Sequence, residues 1–242
     1  MQNTRATLIG SSILAIGFIL GIVLIGNTWR STSSANQNIT VTGSAKRLLT
    51  SDIGVLRANA SLEMGDQLEA YRAITAQKPI ILAFLQEKGI DPSSVKFYPV
   101  FSFANYNYNQ NGQQTTLRGY QYSQRFELSS KDVKKIEALS QELGGLIEQG
   151  VNVSIESTEY YYSQIGDIKI EIQAEAAKDA AERAARIAEA TGRELGPLTG
   201  ARMGVLQITP VNSNLTSDYG INDASSIEKE ITAVVNATFR IE

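Results

Sequence analysis

No charge interrupts the chain between Arg5 and Arg30, and Leu8 to Ile25 reads LIGSSILAIGFILGIVLI. As a helix, the uncharged stretch from Ala6 to Trp29 would be ~36 Å long, at ~1.5 Å per residue. That exceeds the ~30 Å hydrocarbon core of a bilayer. A helix also satisfies its own backbone polar groups, as lipid demands. The pattern predicts one transmembrane anchor, with Leu8, Ile13, Phe18, Leu20 and Ile25 in the apolar span and Trp29 at the far interface. Everything after Trp29 then lies on one side of the membrane.

Beyond residue 30 the periodicity changes. Residues 31–38, STSSANQN, are a polar tether. Ile39 to Gly43 alternates apolar and polar positions as a first strand, which Lys46-Arg47 should end. In a second strand Leu56, Ala58, Ala60 and Leu62 share a face. Asp66 to Lys88 has a helical stripe of Leu68, Tyr71, Ile74, Ile81 and Leu85, with Asp66 as cap and Gly89 as stop. Pro79 inside it predicts a kink or two shorter helices. Val95 to Phe103 is a strand holding Pro99, hence an edge or a bulge. Residues 104–114 form a polar hairpin loop turning at Asn111-Gly112, and Leu117 to Leu128 is the return strand.

A second helix spans about 131–147, capped by Ser129 or Ser130, with Val133, Ile136, Leu139, Leu143 and Leu146 inward. Val151 to Ile155 is a strand. The longest helix, about 167–191, carries Ile168, Ile172, Ala176, Ala180, Ala184 and Ile187 as a narrow stripe. Opposite charges at Lys178–Glu182, Asp179–Arg183 and Glu182–Arg186 support its outer faces. Strands follow at 198–209 and 230–241, separated by an Asn- and Ser-rich loop. The order β-β-α-β-β-α-β-α-β-β predicts an α+β domain: an antiparallel or mixed sheet with three main helices on one face. The organisation is a stub and anchor over 1–30, a tether over 31–38 and one outer domain over 39–242.

Composition narrows the chemistry. The chain has 242 residues, net charge −3, and neither Cys nor His. That excludes disulfides, thiol nucleophiles, the usual zinc sites and imidazole acid–base catalysis. No basic face points to nucleic acid. The uncharged run is longer than a cleaved signal peptide's, so the anchor is read as retained, with the N-terminus inside and the bulk domain outside. The alternative is release into the periplasm after cleavage near Ala35, where Ser33-Ser34-Ala35 fits.

Of the residues with chemical interest, Ser44 and Lys46 have the spacing of a Ser–Lys dyad, but Arg47 and a solvated strand end argue against a depressed lysine pKa. Asp52, Glu63 and Asp66 lack the fixed spacing of a calcium loop. Tyr106, Tyr108, Tyr160 and Tyr162 are candidate interface or ligand-stacking residues, because tyrosine is rigid and amphipathic. Gly17 and Gly21 would let two anchor helices approach closely. No cofactor or metal set is present in the pattern.

Several of these features, taken in order, resemble the SIMPL-domain family of bacterial envelope proteins. They are Ile39-x-Val-x-Gly43, Gly89-Ile90, Gly119-Tyr120 and the helix Ala176-x-x-Asp179-Ala180-x-x-x-Ala184-x-x-x-Ala188-x-x-x-Gly192-x-x-x-Gly196. The anchor and the run Ala201 to Ile208 are similar to a membrane-bound subgroup. The resemblance covers about residues 37–242. It implies an exported α+β domain, commonly homo-oligomeric, with a link to envelope or oxidative stress and no catalytic residues to carry over. Pro79 and the loop at 104–114 depart from the family pattern. The expectation is thus a non-enzymatic, self-associating envelope protein held by the bilayer. The runner-up is a small-molecule binder using the Tyr-rich loops, and a Ser–Lys hydrolase comes third.

Overall fold

The computed structural model describes residues 37–242, together with 17–19, 21, 22 and 24. Of the stretch expected to form an anchor, the described residues, including Gly17, Phe18 and Gly21, are helical, and the Phe18 side chain is exposed. Leu8, Ile13, Leu20, Ile25 and Trp29 lie outside the described residues. Among the described residues no helix is long and apolar enough to cross a membrane.

From residue 37 onward the elements are β1 (Asn38–Thr50), β2 (Ile53–Met64), α1 (Gln67–Glu87), β3 (Val95–Phe97), β4 (Phe101–Tyr108), β5 (Gln114–Ser130), α2 (Val133–Glu142), β6 (Val153–Tyr161), α3 (Ile165–Ala190), β7 (Leu195–Met203), β8 (Gln207–Pro210), β9 (Ile221–Asn222) and β10 (Glu228–Ile241). This is the α+β class. The single expected sheet is corrected to two sheets of five strands. One has the order β1-β10-β8-β9 with β7 also on β10; the other has β3-β5-β2-β6 with β4 also on β5. The chain divides into two compact units. Of the residues from 37 onward, the first holds 37–47, 167–206 and 232–242; the second holds 48–166 and 207–231.

In the first unit, β10 is flanked by β1 and β7. The helix α3 turns Ile168, Ile172, Ala176, Ala180, Ala184 and Ala188 inward, all buried. Alanine at every fourth position keeps the helix surface low. The strand beneath is matched to it. A Cβ on Gly43 would stand 2.3 Å from both the Ala176 carbonyl oxygen and the Ala180 nitrogen. Ile187, expected inward, is instead half exposed, because the stripe closes on Ala188. The strand β1 does not end at Lys46-Arg47. Arg47 is held by Glu171, at 2.5 Å, and by Glu175, so a charged residue sits mid-strand with its charge matched. Pairs Asp179–Arg183 and Lys178–Glu182 are present at 2.8 and 3.9 Å, and Arg186 pairs with Glu189 at 3.9 Å. The expected strand at 198–209 breaks after Met203, where the Gly204 N–H donates to the Val234 carbonyl.

The second unit is built on β2, which pairs antiparallel with β5 (Leu56↔Leu128) and with β6 (Leu56↔Thr158). Leu56, Ala58 and Ala60 form one buried face with Phe126 and Leu128, under Ile74, Ile81 and Leu85 of α1 and Ile136 and Leu139 of α2. Asp66 caps α1 by accepting from the Glu69 N–H at 2.9 Å. The helix runs through Pro79 as one element rather than two. Leu68 and Tyr71 lie outside its buried stripe, and Ala70, Gln77 and Phe84 take that place. Asp132, not a serine, caps α2. Gly144-Gly145 then tighten the chain into a 3-10 turn over 143–149, which still buries Leu143 and Leu146. Pro99 divides the expected strand into β3 and β4. The loop expected at 104–114 is mostly strand; only 109–113 turn. The Asn109 carboxamide oxygen accepts from the Asn111 and Gln113 N–H groups, and Gly112 takes φ of 74°.

Candidate functional site

The four candidate tyrosines separate by environment. Tyr160 is buried in the core of the second unit, and burial pushes its phenol upward. Its N–H donates to the Ala224 carbonyl at 2.7 Å. Tyr162 is half-buried. Tyr106 and Tyr108 are exposed on β4, opposite Leu117 and Gln114 of β5. They share the hairpin arm with Phe101 and Phe103, whose rings stand 6.2 Å apart. Two β5 bulges shape the arm, beside Asn105/Tyr106 and Tyr106/Tyr108. Bulges bend and twist a ribbon. Past Met64 of β2 the ribbon is two-stranded and carries Tyr106, Tyr108 (63% exposed) and Leu117 (45% exposed), while Phe101 (65% exposed) pairs with Ser123 where β2 still flanks β5. The outer edge of β4 pairs with no described strand. The structure therefore does not bring Tyr160 to Tyr106 and Tyr108.

The other candidates are each engaged separately. Ser44 is exposed, and its backbone N–H donates to Asp179 at 2.8 Å. Lys46 is exposed on the same side of β1 and has an interaction of its own. Asp52 accepts from the Ser163 N–H and hydroxyl at 2.7 and 2.5 Å. Glu63 accepts from Asn105 at 3.0 Å and pairs with Arg118 at 3.1 Å, while Asp66 is committed to its cap. Among the described residues no cluster of carboxylates could hold a metal.

Three arrangements were not legible in the sequence. On the second unit's polar sheet face, Arg57 lies between Glu127 and Glu159 at 2.7 and 2.6 Å. Hydrogen bonds from Tyr161 and Arg57 hold the Glu159 carboxyl below its usual range. Near the start of β10, Lys229 is only 3% exposed. Its ammonium donates to the Tyr160 carbonyl at 2.7 Å and to the Asp223 carbonyl. In the first unit, an open groove of about 630 Å³ runs between the free side of β1, at Thr40 to Thr42, and Asp179, Arg183, Arg186 and Ile187 of α3.

The SIMPL family model, described as a protein of unknown function (DUF541), matches residues 39–239. The chain belongs to the SIMPL family. The matched stretch is nearly the whole chain beyond residue 36, so both units are parts of the SIMPL region rather than additions to it. No curated protein matches the chain. The elements that carry the SIMPL signature in this sequence are structural: Gly43 and the alanines it faces are packed, not presented.

The carboxylates give the SIMPL region a signed pH dependence. Glu159, Asp52 and Asp179 are all held below the usual range: Glu159 chiefly by Tyr161, Asp52 by Ser163, Asp179 by the Ser44 N–H. A carboxylate depressed in the folded state stabilises above its unfolded pKa and loses that contribution as pH falls. Melting temperature is expected to stay level from pH 7 to about 5.5 and to fall below about 4.5. In Glu159→Gln the acid-side slope should be shallower; a slope unchanged from the parent would assign the loss to other carboxylates.

Proposed function

We propose that this SIMPL protein is a membrane-anchored, extracytoplasmic, self-associating protein without enzymatic activity, with a structural or protective role at the cell envelope. The anchor rests on the uncharged run from Leu8 to Ile25 and on Trp29. Self-association rests on one observation, the β4–β5 arm. A β4–β5 hairpin that exposes Phe101, Phe103, Tyr106, Tyr108 and Leu117 along an edge no described strand pairs is the kind of surface that proteins cover. Aromatic residues supply interface area at low entropic cost. A second copy of the chain is the natural occupant, since one β4 edge can pair with another across a two-fold axis.

The test is the double variant Phe101→Ser/Tyr108→Asp in the full, detergent-solubilised chain. Both side chains are exposed, so the fold should survive. The assembly should lose at least about ten-fold in association constant, read by dilution in sedimentation velocity. This corresponds to removing two interface anchors worth about 1 kcal/mol or more each. An unchanged association constant with an unchanged melting temperature would remove the arm from the interface.

A further inference from the structure

The geometry points to the groove between β1 and α3 as a binding site for an extended segment of another polypeptide, which would add to the sheet as a strand beside β1. The backbone register carries this. Side-chain bonds join Thr40 to Thr238 and Thr42 to Asn236, and the Ile241 N–H donates to the Gln37 carbonyl at 3.0 Å. These pairs keep one antiparallel register. In such a register alternate residues turn both backbone groups to the partner strand, and the others turn them away. Residues 37, 39, 41 and 43 therefore serve β10, while Thr40, Thr42 and Ser44 face outward. The Ser44 N–H confirms the direction, because it reaches Asp179 of α3 instead of β10. No described strand lies on this side of β1.

Thr40 and Thr42 thus present two N–H donors and two carbonyl acceptors into an open groove. Only extended backbone matches donors and acceptors alternating at about 6.6 Å along a strand. Asp179 closes the row at Ser44. The Val41 side chain faces α3 and is buried, and Ile187 is 45% exposed above it. A side chain of the incoming strand that points toward α3 would lie against Ile187, so an apolar residue fits there. The rim charges Glu182 and Arg186 favour polar residues on either side. A second copy of this chain fits less well. Antiparallel pairing of β1 with β1 across a two-fold axis puts both copies of α3 on one face of the joined sheet, and α3 already overhangs the edge, since Asp179 reaches an outward N–H. Two overhanging helices would collide.

The experiment selects from a phage-displayed library of random twelve-residue peptides against the full chain in detergent micelles, and measures the enriched peptides as synthetic fluorescent ligands. Affinity is expected to fall at least ten-fold in Ile187→Glu and to be unchanged in Tyr219→Ala, a fully exposed control. Hydrogen exchange over residues 38–44 should slow on peptide addition. Binding should persist in Phe101→Ser/Tyr108→Asp, which separates this site from the self-association surface. A library that yields no enriched sequence would overturn the assignment. So would peptides that bind Ile187→Glu equally and leave exchange at 38–44 unchanged, or β1 protection that appears only with chain dimerisation.

Discussion

Substituting valine for Gly43 is expected to cost about 3 kcal/mol or more of stability, because the new atoms meet backbone rather than side chain. The Cβ alone would stand 2.3 Å from the Ala176 oxygen and the Ala180 nitrogen. A flexible side chain could swing aside from such a contact; a helix carbonyl cannot. The helix would have to lift from β1, which would open the row Ala176, Ala180, Ala184 and Ala188, now at most 2% exposed. Gly43→Ala should lie between valine and the parent. Gly166→Ala is the matched control: nothing lies within 4 Å of a Cβ there, and the residue is in the first turn of α3. It should be neutral or stabilising by up to about 1 kcal/mol. Urea midpoints of the three variants check this directly. A Gly43→Val chain within about 0.5 kcal/mol of the parent would mean that α3 does not rest on β1 as described.

Removing the Lys229 ammonium should be nearly as damaging. In Lys229→Ala the Tyr160 and Asp223 carbonyls lose their donor. The Asp223 carboxylate, one of whose oxygens is buried without a partner, loses its nearest cation. Breaking a buried charged cluster from one side costs about 3–5 kcal/mol. Lys229→Met keeps most of the volume while losing the charge and the donors, so it should recover only the packing part of that loss. The loop over 211–227 is tied to β6 through this cluster and through the Tyr160 N–H to Ala224. Its hydrogen exchange should therefore rise in Lys229→Ala before global unfolding. Burial lowers the lysine pKa, with Asp223 opposing that shift. A base depressed in the folded state is a liability while protonated, so this residue adds stability as pH rises toward the lysine range. If Lys229→Ala melts with the parent, the ammonium is not the clasp.

How much of this was legible before the structure depended on the range of the interaction. The α3 stripe, the α+β class and the buried faces of β2 and β10 are written in local periodicity, and Leu56, Ala58, Ala60, Val235 and Ala237 lie where alternation puts them. Caps were half legible: Asp66 competes with no neighbour, but Asp132 displaces two serines beside it. Pairing partners were not legible, because a strand's alternation does not say which sheet it joins. One expected sheet is accordingly two. Lys229 reads as a solvated residue at a strand start, since its partners are backbone carbonyls at Tyr160 and Asp223. Of the candidate interface residues, Tyr106 and Tyr108 remain on the surface, while Tyr160 went to the core because β6 turns that ring toward α2. The β1 groove left no sequence signal at all: its donors are main-chain groups of ordinary threonines.

Self-association at a membrane is what the proposed function stands on. Its most direct test is the mass, by light scattering, of residues 37–242 beside that of the full chain in detergent, corrected for bound detergent. A defined oligomer is expected in both, with the same number of copies, because the proposed contact is on the β4–β5 arm. Monomers in both would contradict it, and an oligomer of the full chain alone would move the contact to the anchor and to Gly17 and Gly21.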